Sequence, residues 1–153
     1  MRYVLDTNII LFYLKDSKTK AFIKEIYNPF GSENEAVISA VTIGEIKSLA
    51  IRNGWGEKRV SLVEKIMQDI IVIDVKFNEL FDAYAEIEAY CEGKLPSKPV
   101  KRSSRILGKN DLWIAATTYI TGSKLMTSDK DFLPLDGEYF EVVMIDRDEI
   151  NNR

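Results

Sequence analysis

The sequence predicts an α/β domain in which helices cover both faces of a mostly parallel sheet. Two observations lead there. Short β-branched runs alternate with stretches of helical periodicity along the chain. Acids that interrupt apolar segments also fall where strands end or helices begin, the edge at which open α/β sheets gather their ligands. Alternating strands and helices, joined by right-handed crossovers, imply parallel pairing with both faces buried. The length of 153 residues suits one domain over 1–153, able to bury about 70% of its unfolded surface.

The elements follow in order. The first strand is Arg2 to Leu5, and two helical patterns come after it, Ile9 to Leu14 and Ala21 to Tyr27. A second strand, Glu35 to Val41, precedes helices over Ile43 to Arg52 and Glu57 to Asp69, with Trp55 between two glycines marking the start of the latter. Ile70 to Val75 is the third strand. Phe77, Leu80, Phe81, Tyr84, Ile87 and Cys91 then mark the apolar face of a fifth helix. Pro96 and Pro99 lie in a stretch, 93–110, that reads as a long basic loop or insertion. Asp111 to Ile120 is a sixth helix, and Lys124 to Met126 and Phe140 to Ile145 are the last two strands.

Composition narrows the chemistry. The single cysteine, Cys91, permits no internal disulfide, and no apolar run approaches the roughly 18 residues of a membrane span. The chain opens on a strand-like YVL instead of the basic, apolar and small-residue order of a signal peptide, so a cytoplasmic protein is expected. There is no histidine, which excludes an imidazole base and any His-built zinc or iron site. The net charge is −3, yet Lys94, Lys98, Lys101, Arg102, Arg105 and Lys109 lie together between Gly93 and Asn110 without an acid. For each of these cations alone, the plain reading is a solvated loop. As a group they can hold the phosphates of a polyanionic ligand, with Lys98, Lys101, Arg102, Arg105 and Lys109 the candidates. No aromatic lies among them to stack on a base.

Four acids carry the functional expectation. Asp6 ends the first strand within RYVLDTNIILFYL, Glu45 follows the second in TIGE, Asp111 opens NDLWIAA, and Asp129 follows the fourth in LMTSDKDF. Each has a local explanation. Asp6 suits a helix N-cap, Thr42 and Glu45 suit a capping box, Asp111 suits a first helical turn, and Asp129 or Asp131 suits an Asx turn. Their coincidence on one edge shifts the weight. Asp111 also shares a helical face with Ile114, Ala115 and Thr118, which directs its carboxylate inward. Two unit charges about 4 Å apart at an effective dielectric near 20 repel by about 4 kcal/mol, so a carboxylate cluster calls for a cation. Oxygen ligands without His or Cys select Mg2+ or Mn2+. One divalent ion leaves four carboxylates at −2, and a second brings the site to zero, the balance that two-metal phosphodiester hydrolysis needs.

These pieces, VLDTN, TIGE, NDLWIAA and LMTSDKDF in that order, resemble the PIN-domain ribonucleases and, in size, their VapC-type toxins. The resemblance implies a three-layer α/β/α sandwich around a five-stranded sheet and an endoribonuclease that uses one or two Mg2+ or Mn2+ ions. It makes Asp6, Glu45, Asp111 and Asp129 the metal-binding and catalytic acids. Thr7, Asn8, Asn110, Thr127 and Ser128 become polar supports, with Asp131 an alternative or auxiliary to Asp129. It also implies a homodimer restrained by a small antitoxin that inserts an Arg or Lys into the acidic pocket. The basic stretch is longer than a minimal toxin of this kind requires.

Other readings remain. A PIN-like module can bind RNA or a partner without cutting. A phosphotransfer domain of the receiver or haloacid type would use Asp74, with Thr127 and Ser128, but the first strand lacks a second acid and the last ends in Met-Ile-Asp where a receiver needs lysine. Trp113 and Cys91 are expected to pack in the core, with base stacking the alternative for Trp113 if it is exposed.

Overall fold

The computed structural model describes residues 1–100 and 107–153. The chain runs β1 (Arg2–Leu5), α1 (Thr7–Lys15), α2 (Ser17–Ile26), β2 (Glu35–Ser39), α3 (Ala40–Arg52), α4 (Glu57–Met67), β3 (Ile70–Ile73), α5 (Asn78–Cys91), α6 (Lys109–Ile120) and β4 (Lys124–Thr127). A 3₁₀ helix (Lys130–Leu135), β5 (Val142–Met144) and α7 (Arg147–Asn151) complete it. The five strands form one sheet in the order β3-β2-β1-β4-β5, and every neighbouring pair is parallel. The chain builds outward from β1 to β3 and then crosses back to β4, so the switch in strand order lies beside β1.

Side-chain alternation along the strands generates three layers. Val4 pairs in register with Val37 and with Leu125. These three belong to the core beneath α5, α6 and the 3₁₀ helix, together with Ile87, Tyr90, Ile114 and Phe132. Their neighbours Tyr3, Leu5, Ala36, Ile38 and Met126 face the other way, into a core closed by Ile9, Ile10, Ile23, Ile46, Val63 and Ile150 of α1, α2, α3, α4 and α7. The period of two in the central strands therefore supplies two buried faces. β3 lies at the sheet edge, and Ile71 and Val72 are exposed there.

The main differences from the expected elements occur at ends. β2 stops at Ser39, whose Oγ accepts the Val41 N–H and starts α3 at Ala40. β3 stops at Ile73, and Asp74 Oδ1 takes the next amide, that of Val75. Phe140 forms only an isolated bridge with Asp136 before β5 begins. The 3₁₀ helix and α7 lay outside the expected pattern because neither is long enough to show a helical period. Side-chain caps start both, Asp129 on the Asp131 amide and Asp146 on those of Asp148 and Glu149. No helix among the described residues is long and apolar enough to cross a membrane.

Candidate functional site

Asp6 leaves β1 in extended conformation and caps α1: its Oδ1 accepts the Thr7 N–H at 2.7 Å. The capping role expected from sequence is therefore present, but it engages only one oxygen. The other, Oδ2, accepts the Thr127 hydroxyl from the end of β4 at 2.7 Å. The Asp6 amide donates to Met126 O at 3.0 Å, extending the β1–β4 ladder by one residue. Asp6 is 6% exposed. Burial raises its carboxyl above the ordinary carboxylate range, against the two hydrogen bonds, and the Asp129 charge adds to the rise.

Thr127 links two acids. Its Oγ1 donates to Asp6 and accepts the Asp129 amide at 3.0 Å, while Asp129 Oδ1 accepts the Asp131 amide at 2.9 Å and caps the 3₁₀ helix. Thr127→Val keeps the volume of the side chain but leaves the Asp129 amide and Asp6 Oδ2 without this partner. The expected cost is about 1–3 kcal/mol, a fall in melting temperature of several degrees. An unchanged melting temperature would show that this link adds no stability.

Glu45 differs from its expected local role. Because α3 begins at Ala40, Thr42 is inside the helix and Glu45 lies in the second turn, so no capping box forms. The Thr42 hydroxyl, the Thr7 hydroxyl and Glu45 Oε1 are all buried without a hydrogen-bond partner. Burial raises the Glu45 carboxyl, the charge of Asp6 raises it further, and the nearby Thr7 hydroxyl, which makes no well-formed hydrogen bond to it, offsets part of the rise. Asp111 stands in the first turn of α6, on the face it shares with the fully buried Ile114, Ala115 and Thr118. Burial, followed by repulsion from Asp6, Asp129, Glu45 and Asp131, pushes its carboxyl up to about 7.

All four acids line one open cleft of about 570 Å³ at the carboxyl edge of the sheet. Thr7, Asn8 and Asn110 line it too, and Thr127 stands behind Asp6. Asp131 is not among the lining residues, and its charge acts on Asp111 last among the four acids. Ser128 faces a neighbouring cavity shared with Lys130 and Arg147. Among the described residues no three His, Cys, Asp or Glu side chains are grouped as a ready metal site. The donor chemistry nonetheless suits a hard divalent cation: every candidate ligand is an oxygen, one buried carboxylate oxygen has no partner, and the acids repel one another as they stand.

The basic stretch is only partly within view. Lys101, Arg102 and Arg105 lie outside the described residues. Lys109 is exposed at the first position of α6. Lys98 is drawn elsewhere: it donates to Glu138 O at 2.7 Å, pairs with the Glu138 carboxylate at 3.7 Å and lies 4.1 Å from the Tyr139 ring centroid. It does not line the acid cleft.

Trp113 is half-buried and packs against Tyr84 and Phe81 at the margin of the core formed by Leu80, Ala83 and Ala116, and the buried Cys91 thiol is pushed up to about 11. Asp74 is exposed beyond the edge strand β3 and is not in the cleft. The residues that the sequence reading missed are Leu11 on α1 and a group on α3. Val41, Gly44, Ser48, Leu49 and Arg52 line the cleft with Glu45, and stepping along the helix from Glu45 by three or four residues would have found them.

The PIN domain family model matches residues 3–138. No curated protein matches the chain. Among solved structures, a chain of VapBC2 from Rickettsia felis bound to a promoter DNA fragment superposes with a TM-score of 0.76 at 20% identity, covering 95% of this chain and 100% of that one. DNA-bound VapBC from Salmonella typhimurium gives 0.69 at 17% identity, covering 95% and 99%. VapBC-1 from nontypeable Haemophilus influenzae gives 0.67 at 21% identity, covering 94% and 98%.

Proposed function

Because this chain belongs to the PIN-domain family, we propose that it is a metal-dependent endoribonuclease that hydrolyses RNA phosphodiester bonds. The observation carrying this reading is the convergence of Asp6, Glu45, Asp111 and Asp129, from four separate segments, on one cleft where burial, and then the charges of the other acids, raise Asp111 to about 7.

Mg2+ or Mn2+, one or two ions held by these carboxylates, would supply an activated water and neutralise charge on the phosphodiester. The protein's own part is positional. Thr7 N–H and Thr127 Oγ1 hold both oxygens of Asp6, which is buried where β1 and β4 end. Asp111 carries a proton part of the time at neutral pH and loses it when positive charge arrives beside it. Glu45 Oε1 and the Thr7 hydroxyl, close to each other but without a well-formed hydrogen bond, lie in residues that line the same cleft. Asn8 and Asn110 present amides at the rim that can donate to phosphate oxygens. No side chain needs to act as base.

The same reading makes the chain the toxin of a toxin-antitoxin pair, since complexes named VapBC supply its structural likenesses. A small antitoxin would then silence it by placing an Arg or Lys in the acidic cleft, and the free toxin would be a cytoplasmic homodimer of a single nuclease domain over 1–153.

Labelled single-stranded RNA incubated with the protein in Mn2+ or Mg2+ tests the activity. Cutting is expected with metal and none with excess chelator. RNA that is bound but left intact under all conditions would replace the nuclease with a non-catalytic binding module. Transfer of label from a phosphodonor to Asp74 would instead make this a phosphotransfer domain.

A further inference from the structure

Building on the nuclease reading, we propose that Arg52 holds an RNA phosphate flanking the scissile one, so that the substrate strand runs along α3. One stripe of α3, Val41, Gly44, Glu45, Ser48, Leu49 and Arg52, lines the cleft from the acids to its far end. Glu45 and Arg52 are seven residues apart, hence on the same face and about 10 Å apart along the axis. At that separation Arg52 forms no ion pair with the acids among the described residues, and its position suits a phosphate about one or two nucleotides from the cut.

The surroundings support a strand path. Gly44 faces open space, with no atom within 4 Å of where a Cβ would be, so the helix surface beside Glu45 is clear for a backbone to approach. Ser48 offers an exposed hydroxyl, and Leu11 and Leu49 form a half-buried apolar wall on which a ribose or base can rest. Arg52 is exposed, and among the described residues no carboxylate lies within ion-pair distance of it. Its guanidinium matches a phosphate with two parallel hydrogen bonds. Arg52 also occupies the last turn of α3, where any cation favours the helix dipole, so a stability change would not identify this role.

The test uses RNA oligonucleotides in which one phosphate at a time, around the mapped cut, is replaced by an uncharged methylphosphonate. The wild type is expected to lose about 10-fold in kcat/KM at one position near the cut, in addition to the scissile phosphate. Arg52→Gln should lose about as much on unmodified RNA, mainly through KM, and should be indifferent to neutralisation at that one position; Arg52→Lys should restore part of it. Arg52→Gln that keeps the wild-type sensitivity at every position overturns the role of Arg52 while leaving the nuclease standing. A wild type that cuts no RNA removes both.

Discussion

Asp6→Asn is expected to lower metal-dependent RNA cleavage by about 10³-fold while leaving the protein folded. The size follows from the chemistry: a carboxylate that helps hold the ion carries several kcal/mol of transition-state stabilisation, and about 4 kcal/mol is about three decades of rate. The fold survives because asparagine can keep both contacts. Its Oδ1 still accepts the Thr7 N–H, and its Nδ2 can donate to Thr127 Oγ1, which reverses its role as a hydroxyl can. Asp6→Ala removes the cap and orphans the Thr127 hydroxyl, and is expected to cost about 1–2 kcal/mol of stability in addition to activity. Initial rates in Mn2+ alongside melting curves separate the two effects. An Asn variant retaining more than about a tenth of the wild-type rate would remove Asp6 from the catalytic set.

Asp111→Asn is expected to reverse its stability ranking with conditions. The folded-state value of about 7 stands above the ordinary 3.8 of an unfolded aspartate. A raised value means that the folded protein holds the proton more tightly. The associated stability is present below about pH 4 and is lost as pH rises through about 7. Without metal at pH 8.5, replacing Asp111 by a neutral isostere should therefore raise stability. Allowing for solvent screening of this half-buried group, the gain is about 1–2 kcal/mol, or ~3–6 °C in melting temperature. At pH 4 the two proteins should melt within about a degree of each other. Manganese reverses the order at high pH, because an ion that binds only the folded state stabilises the protein with the fuller ligand set more. Equal manganese-induced shifts in both proteins would disconnect Asp111 from metal binding, and a variant less stable than wild type at pH 8.5 without metal would contradict crowding of charge in the cleft.

The limits of the sequence reading are clearest at Glu45. TIGE satisfies the spacing of a capping box, yet Ser39 caps α3 three residues earlier and releases Glu45 to face the cleft. Local sequence offers both registers, and the end of β2 chooses between them. The same holds for TSDKDF, where two aspartates have equal local claims. Thr127 receives the Asp129 amide and Asp129 lines the cleft, whereas Asp131 lies in the first turn of the 3₁₀ helix and is not among the lining residues. Lys98 shows the same dependence: its charge marks it as a phosphate candidate, and the fold sets it against Glu138 and Tyr139, some forty residues on.

The sequence by itself determined the alternation of strands and helices, the parallel sheet and the identity of the acids at its carboxyl edge. Hydrophobic period and strand-end position are local properties, readable within a window of a dozen residues. Tertiary structure alone decided which oxygens of those acids are held, that burial and neighbouring charge raise the carboxyls of Asp6, Glu45 and Asp111, and that the stripe of α3 ends in Arg52 at the cleft. Those properties depend on charges and hydroxyls brought together across the sheet, as Thr127 is brought to Asp6 over 121 residues. Electrostatic energy follows distance in space and burial, neither of which is set by spacing along the chain.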